Sequence, residues 1–313
     1  MNPQAMTAAT AALGLFVSML WGGNVIALKY GLDTFPPLWS AFWRFLSGAV
    51  AVIVWAKLQG VRLWPDRRDW RAVVLLGVLF TLQITCLNFG VGWTSAAFAV
   101  VLLNSHPVFT NLQGHFADSE EKLNGRRLFG LALAFGGICW VAAGKPSVAK
   151  APLPIWGNVL MIVSANLLAL RVIYTRRLVQ STHPTRPVVW QMVFSLPFFL
   201  GGAWVLEPPT LQPVRWEPVA AILYQGVVIA GFCFVAWTTL LRSFSASTLS
   251  MFAFTVPFFG VLLSAVVLDE AIPPSLLLGA LLVTAGIVIV TRSAQAPARK
   301  PPKESPAPGA VRG

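Results

Sequence analysis

Four basic side chains stand inside stretches that are otherwise apolar: Arg44, His106, His115 and Arg171. Burying an ionisable group in hydrocarbon is costly, so each is a functional candidate. Arg44 lies about seven residues inside a run that opens at Pro37, too deep for its stem to reach the nearby interface without strain. Ser40 and Ser47 share its face. A guanidinium held there can offer a carboxylate or phosphate two parallel hydrogen bonds; the other reading is an anchor to helix-end carbonyls or to Asp33. Arg171 sits on the face of Ser164 close to the end of its run, where its stem can reach the headgroups. His106 is the deepest histidine and could change charge near neutral pH; the plainer reading is a neutral ring bonded to a neighbouring helix. All 11 acidic residues fall at the ends of apolar runs or between them. No carboxylate is therefore available in mid-membrane for a sodium ion, a proton or a cationic drug.

The run 95–116 is the most polar. Asn104, Asn111 and His115 recur on one helical face, with His106, Thr110 and Gln113 on the opposite one. A helix polar on two sides must be surrounded by protein or water. Its counterpart later in the chain sets Phe254 against Asn104, Val256 against His106 and Val261 against Asn111. The polar groups of a substrate would then be read around Arg44 and this run, with an apolar wall opposite. Pro107 and Pro257 each remove a backbone hydrogen bond in mid-run. Paired breaks of this kind mark a hinge beside a central site or a kink that serves packing alone. Trp21, Asn24, Gln83, Asn166, Tyr224 and Trp237 are further candidates for cavity lining, as are Trp43, Asn88, Gln191 and Gln225. Trp39, Trp156 and Trp216 fit an interfacial belt. Cys86, Cys139 and Cys233 occupy separate apolar runs without metal-ligand spacing, so no disulfide, metal or cofactor is called for.

These residues must be positioned by membrane spans. With 56% hydrophobic and 11% charged residues in 313, the chain is not an ordinary globular domain. Apolar runs long enough to cross a bilayer lie near 8–28, 37–55, 71–92, 95–116 and 127–143, and again near 155–174, 187–206, 218–241, 246–268 and 274–291. Hydrocarbon leaves no partner for an open backbone, so every span is expected to be helical. The two sets read as one unit written twice, displaced by roughly 150 residues. Ser95, Ala96, Pro107 and Phe109 match Ser245, Ala246, Pro257 and Phe259; one residue out of step, Glu121, Gly130 and Gly137 match Glu270, Gly279 and Gly286. Five spans per copy is odd, so the copies cross in opposite directions. The expected fold is an all-α integral membrane protein of ten transmembrane helices in two inverted five-helix repeats, 1–149 and 150–293. The stretch 294–313 is expected to be a disordered, basic, Pro-rich tail. Gly14, Ser18 and Gly22, like Gly130 and Gly137, suit close helix contacts.

Orientation follows from Lys and Arg, which favour the cytoplasmic side. Segments holding Lys57, Arg62, Arg67, Arg68, Arg71, Lys122, Arg126, Arg127, Arg176, Arg177, Arg186, Arg242 and the tail lie on one side; only Lys29, Lys145, Lys150 and Arg215 lie on the other. Both termini are expected in the cytoplasm of a cell whose inner membrane the chain spans. The net charge of +12 is spread over short loops, which suits anionic lipid rather than nucleic acid. The first run is too long and lacks the basic lead of a cleaved signal.

Several strings resemble the EamA family of ten-helix carriers in the drug/metabolite transporter superfamily. They are Trp21-Gly22-Gly23-Asn24 with Lys29, Arg44-Phe45, Ser95-Ala96 with Pro107-Val108-Phe109, and Glu121 with Gly130. The second half adds Ser245-Ala246, Val256-Pro257-Phe258, Leu268-Asp269-Glu270, and Gly279 with Gly286. The string 117–122 departs from the shorter apolar, Gly-Glu-like ending of such carriers. The resemblance implies a secondary carrier whose cavity is lined by the first four helices of each half, the fifth and tenth packing peripherally. The expectation is outward transport of a small polar metabolite, one bearing a carboxylate such as an amino acid, by alternating access. Its partners would be that substrate, membrane lipid and a second copy meeting the first through the fifth and tenth helices. A channel or a non-transporting receptor is the alternative. A membrane-embedded enzyme would need a catalytic constellation, and no run carries one.

Overall fold

Without water to bond, an apolar chain must satisfy its N–H and C=O groups within each span. The computed structural model describes residues 7–117, 125–144, 151–207, 215–244, 249, 252 and 255–294, and among them it uses helices and no strand. They are α1 (Ala8–Leu32), α2 (Pro37–Leu58), α3 (Trp70–Trp93), α4 (Ala96–Leu103), α5 (His106–Ala117) and α6 (Gly125–Ala143). The second part of the chain adds α7 (Pro154–Ser181), α8 (Thr185–Leu206), α9 (Trp216–Ser243), α10 (Thr255–Val267) and α11 (Pro274–Ala294). Of these, α1, α2, α3, α7, α8 and α9 are long and apolar enough to cross a membrane; shorter apolar helices cover Leu128–Ala143, Thr255–Val267 and Pro274–Val290.

Three details differ from the sequence expectation. The run 95–116 divides into α4 and α5 at Asn104 and Ser105, just ahead of Pro107, whose missing N–H leaves the preceding turn short of a donor. Ser95 opens α4 by accepting from the Phe98 N–H at 3.3 Å. Helix α7 continues to Ser181, ten residues beyond Arg171, so that arginine stands well inside its helix. In α9 the turns between Tyr224 and Cys233 widen to π-helical spacing, which periodicity in the sequence does not reveal. The expectations for Glu121, Ser245, Ala246, Phe254 and the tail from 295 onward lie outside the described residues, as do those for the side chain of His115.

Helix α1 packs on α9 and α10, while α7 packs on α3 and on α4 with α5. Helix α2 meets α8 and α9, α3 meets α8, and α6 pairs with α11. Around the middle, Phe45 packs edge-on to Phe80 with ring centroids 4.7 Å apart and stacks on Phe199 at 5.9 Å. Glycine is obligatory at two crossings. A Cβ on Gly286 would stand 2.5 Å from Gly130 O and 2.6 Å from the Ala134 N, so the small-residue faces of α6 and α11 are spent on each other. A Cβ on Gly226 would stand 2.5 Å from Arg44 O, so α9 closes on the backbone of α2 beside that arginine.

Each pole is tied in its own way. At one, the Glu207 carboxylate accepts from Leu38 N at 2.9 Å and Trp39 N at 3.2 Å, capping α2. The Glu270 carboxylate accepts from Ala96 N at 2.9 Å and Ala97 N at 3.0 Å, capping α4. A carboxylate there meets both orphan donors and the positive end of the helix dipole. Burial holds the Glu207 carboxyl above its ordinary range, the N–H groups of Leu38 and Trp39 offsetting only part of the rise. Beside them Thr94 Oγ1 donates to Asn158 Oδ1 at 2.7 Å, and Lys29 Nζ donates to Thr94 O at 2.5 Å. At the other pole Trp64, Trp70 and Trp190 pack edge to face, Trp190 Nε1 donates to Leu63 O at 2.8 Å, and Arg186 Nε donates to Arg62 O at 2.8 Å.

Two stability measurements follow from this packing, both by thermal unfolding in detergent. Gly286→Val should cost about 1–3 kcal/mol through overpacking, whereas Gly201→Ala, with open space around its Cβ, should leave the midpoint unchanged. Glu270→Gln turns one acceptor into a donor facing an N–H and should cost about 1–3 kcal/mol.

Candidate functional site

Arg44 is 2% exposed, and its Nε and Nη1 are buried with no hydrogen-bond acceptor. Neither Asp33 nor a helix-end carbonyl takes them. Ser47 Oγ donates to Trp43 O and Arg44 O, both at 2.9 Å, so it serves the backbone rather than the guanidinium. The compensation Arg44 has is the face of Phe45, whose ring centroid lies 4.8 Å from Cζ. A buried charged donor without a partner costs its full desolvation penalty, and an acceptor that carries negative charge is the chemistry that would offset it.

Arg171 is better held. Its Nη1 donates to Gln83 Oε1 at 2.7 Å. Gln83 is itself buried, its Nε2 donating to Ser164 Oγ at 3.0 Å while the Ser164 hydroxyl donates to Gln83 O at 3.0 Å. The guanidinium lies over Phe80 at 5.0 Å and Phe234 at 5.5 Å. Phe80 is also the ring that packs on Phe45, so the two arginines flank one aromatic contact. Among the described residues no carboxylate forms an ion pair with Arg44, His106 or Arg171.

His106, at the start of α5, has a buried Nδ1 without a partner. One helical face further along, Gln113 Nε2 donates to Asn166 O at 3.2 Å on α7. This face of α5 therefore turns toward α7. Asn104 and Asn111 do not. Their amide nitrogens donate to Val100 O and Pro107 O, each at 2.8 Å, four residues back along the chain. Asn104, Pro107 and Pro257 instead border a cavity of about 20 Å³ against Val283 and Thr284 of α11, room for about one water.

On α1 and α9, Trp21 packs edge-on to Trp237 with centroids 4.8 Å apart. Tyr224 OH donates to Leu20 O at 2.8 Å, and Asn24 is buried with its Oδ1 unpartnered. The candidate lining residues thus divide into three groups. Gln83, His106, Asn166 and Arg171 gather on α3, α5 and α7; Trp21, Asn24, Tyr224 and Trp237 gather on α1 and α9; Asn104 and Asn111 stand apart. Trp43 is 43% exposed and faces outward. Two residues of the arginine environment were not singled out in the sequence, Phe80 and Phe234; Ser164, which shares the face of Arg171, serves as the anchor of Gln83. Nothing in an apolar run marks which phenylalanine will lie under a cation. What results is an interior with basic groups, neutral amides and aromatic faces, suited to holding an anion. Among the described residues no His, Cys, Asp and Glu cluster could hold a metal ion.

Known transporters resemble the chain over most of its length. The EamA-like transporter family model matches the chain twice, over residues 9–143 and 155–292. A protein from Archaeoglobus fulgidus named as an uncharacterized transporter is 27% identical over 91% of this chain and 98% of its own length. A probable amino-acid metabolite efflux pump of Escherichia coli is 26% identical over 91% of this chain and 95% of its own, and one of Salmonella typhimurium is 27% identical over 88% and 93%. A solved crystal structure superposes with a TM-score of 0.66 at 19% identity, covering 91% of this chain and 99% of that one, a likeness of fold alone.

The tie between Arg171 and Gln83 can be measured as a pair. Gln83→Met should cost about 1–3 kcal/mol in thermal unfolding because it strips a buried charge of its acceptor. In a double-mutant cycle, adding Arg171→Met should recover part of that loss, since it removes the orphaned charge as well.

Proposed function

The chain belongs to the EamA-like transporter family, and from that footing we propose that it is a secondary carrier exporting a small carboxylate-bearing metabolite, such as an amino acid, by alternating access. The observation that carries the cargo class is Arg44, with two buried guanidinium nitrogens lacking an acceptor in an interior whose sequence holds no acid. A carboxylate would bond to it on two parallel lines. Arg171, steadied by Gln83, and His106 add positive potential, while Trp21, Asn24, Asn166, Tyr224 and Trp237 line the path and Asn104 and Asn111 soften the backbone at Pro107. Matched proteins named as amino-acid metabolite efflux pumps favour this cargo and the outward direction.

The same proposal takes the spans as ten, in two inverted repeats, 1–149 and 150–293. Two family matches in tandem support it. So does the exchangeable packing: α1 rests on α9 and α10 as α7 rests on α3 and on α4 with α5, and the α2–α8 and α6–α11 pairs map onto themselves. By the loop charges the pole of Glu207 and Glu270 faces away from the cytoplasm, and both termini face it. Pro107 and Pro257 are the proposed hinges. A homodimer through α6 and α11 would use their outer flank, where Phe129, Trp140 and Leu281 are exposed, because their small-residue faces are already engaged.

The test is uptake into proteoliposomes of radiolabelled alanine, phenylalanine, glutamate, pyruvate and succinate, with choline as the cationic control. At least one carboxylate should enter and choline should not. Losing a charged hydrogen bond at Arg44→Gln should cut that uptake about tenfold or more. Equal uptake by parent and Arg44→Gln protein would end the carboxylate reading.

A further inference from the structure

The charge of this interior also constrains how the carrier resets between strokes. Any carrier passes through an occluded state in which its site is cut off from water on both sides. Here that state encloses two guanidiniums. Arg44 Nε and Nη1 have no hydrogen-bonded partner, and Arg171 has the neutral amide of Gln83 and the rings of Phe80 and Phe234. Neutral partners soften a buried charge and do not cancel it.

No acid can take the anion's place. In the sequence none of the 11 carboxylates lies within an apolar run. Glu207 and Glu270, both buried, are bound to the N-termini of α2 and α4. A carrier that resets on a proton needs a group that becomes negative on losing it, as a carboxyl does. His106 cannot stand in for the anion, because an imidazole passes only between neutral and positive. Resting on the carrier function proposed above, we infer that this protein is an obligatory anion exchanger: the Arg44–Arg171 site crosses the occluded state only when filled, so each anion carried out is matched by a small anion carried back.

The returning ligand is a second small carboxylate or an inorganic anion such as phosphate or chloride, since the pair asks for negative charge and has no donor set peculiar to one of these. Choosing among them is a matter for the lumen of the vesicle. Proteoliposomes would be loaded with the unlabelled test carboxylate, with potassium phosphate, with potassium chloride, or with a bulky zwitterionic buffer alone. Uptake of the five labelled carboxylates used above would then be followed. The expected result is that at least one anion in the lumen raises the initial rate about tenfold or more over buffer alone, the penalty of hiding an uncompensated charge being several kcal/mol. The stimulating compartment identifies the returning anion. A carboxylate that enters buffer-only vesicles as fast as every anion-loaded set overturns obligatory exchange while leaving the carrier function intact. Failure of all five carboxylates to enter any vesicle removes the proposed cargo and the exchange built on it.

Discussion

A guanidinium held in hydrocarbon with no carboxylate beside it is the constraint around which this molecule is arranged. Phe45 supplies a ring face to Arg44, and Phe80 one to Arg171. Gln83 gives Arg171 an oxygen and is itself fixed by Ser164. Glycine at 226 lets α9 approach the backbone of α2 at Arg44, which closes that side against lipid. Each of these choices lowers the cost of a buried cation by a little, and together they stop short of neutralising it. A fold that needed only stability would have placed an apolar side chain at 44. Keeping an under-compensated arginine makes physical sense where a ligand completes the site.

The acids are segregated with equal care. Glu207 and Glu270 are each 8% exposed, each sits at the pole away from the basic loops, and each caps a helix that is distant in sequence. Their bonds join α8 to α2 and the end of α10 to α4, so this pole is stitched by charge-assisted contacts to backbone donors. The opposite pole is held by packed indoles and by donors to the carbonyls of Arg62 and Leu63. On the alternating-access proposal one of these sets must part while the other holds. A carboxylate on two N–H groups can be replaced by water at modest cost once exposed, whereas an interleaved indole cluster must give up apolar contact.

Much of this could be read from the chain before any coordinates. The spans follow from apolar runs and their Pro-rich or charged borders, because in lipid helix is the one economical answer. The burial of Arg44 follows from its depth beyond Pro37. What could not be read depends on side-chain direction and on local backbone geometry. In place of the headgroup anchor read for Arg171, its guanidinium bonds Gln83 on α3, and α7 itself runs on to Ser181. The partner of Arg171 is Gln83, a residue 88 positions earlier, which no local pattern connects to it. Asn104 and Asn111 looked like ligand groups from their spacing. In the fold their donors turn back to carbonyls on their own helix, the usual fate of a short amide near a proline break.

On the proposed repeat the two halves share a scaffold but not a chemistry, and the direction of the difference is informative. On that repeat α7 is the counterpart of α1. Arg171 of α7 reaches Gln83 on α3 and Trp21 of α1 packs edge-on against Trp237 of α9, so equivalent helices present a cation in one case and an indole pair in the other. A symmetric site would present the same face to a ligand from either side. An asymmetric one has a charged wall and an aromatic wall, and it fixes the orientation of whatever lies between them. A carboxylate directed at Arg44 and Arg171 would leave the remainder of its molecule against Trp21 and Trp237. Selectivity in such a site would rest on the shape and polarity of that remainder, and affinity on the charge.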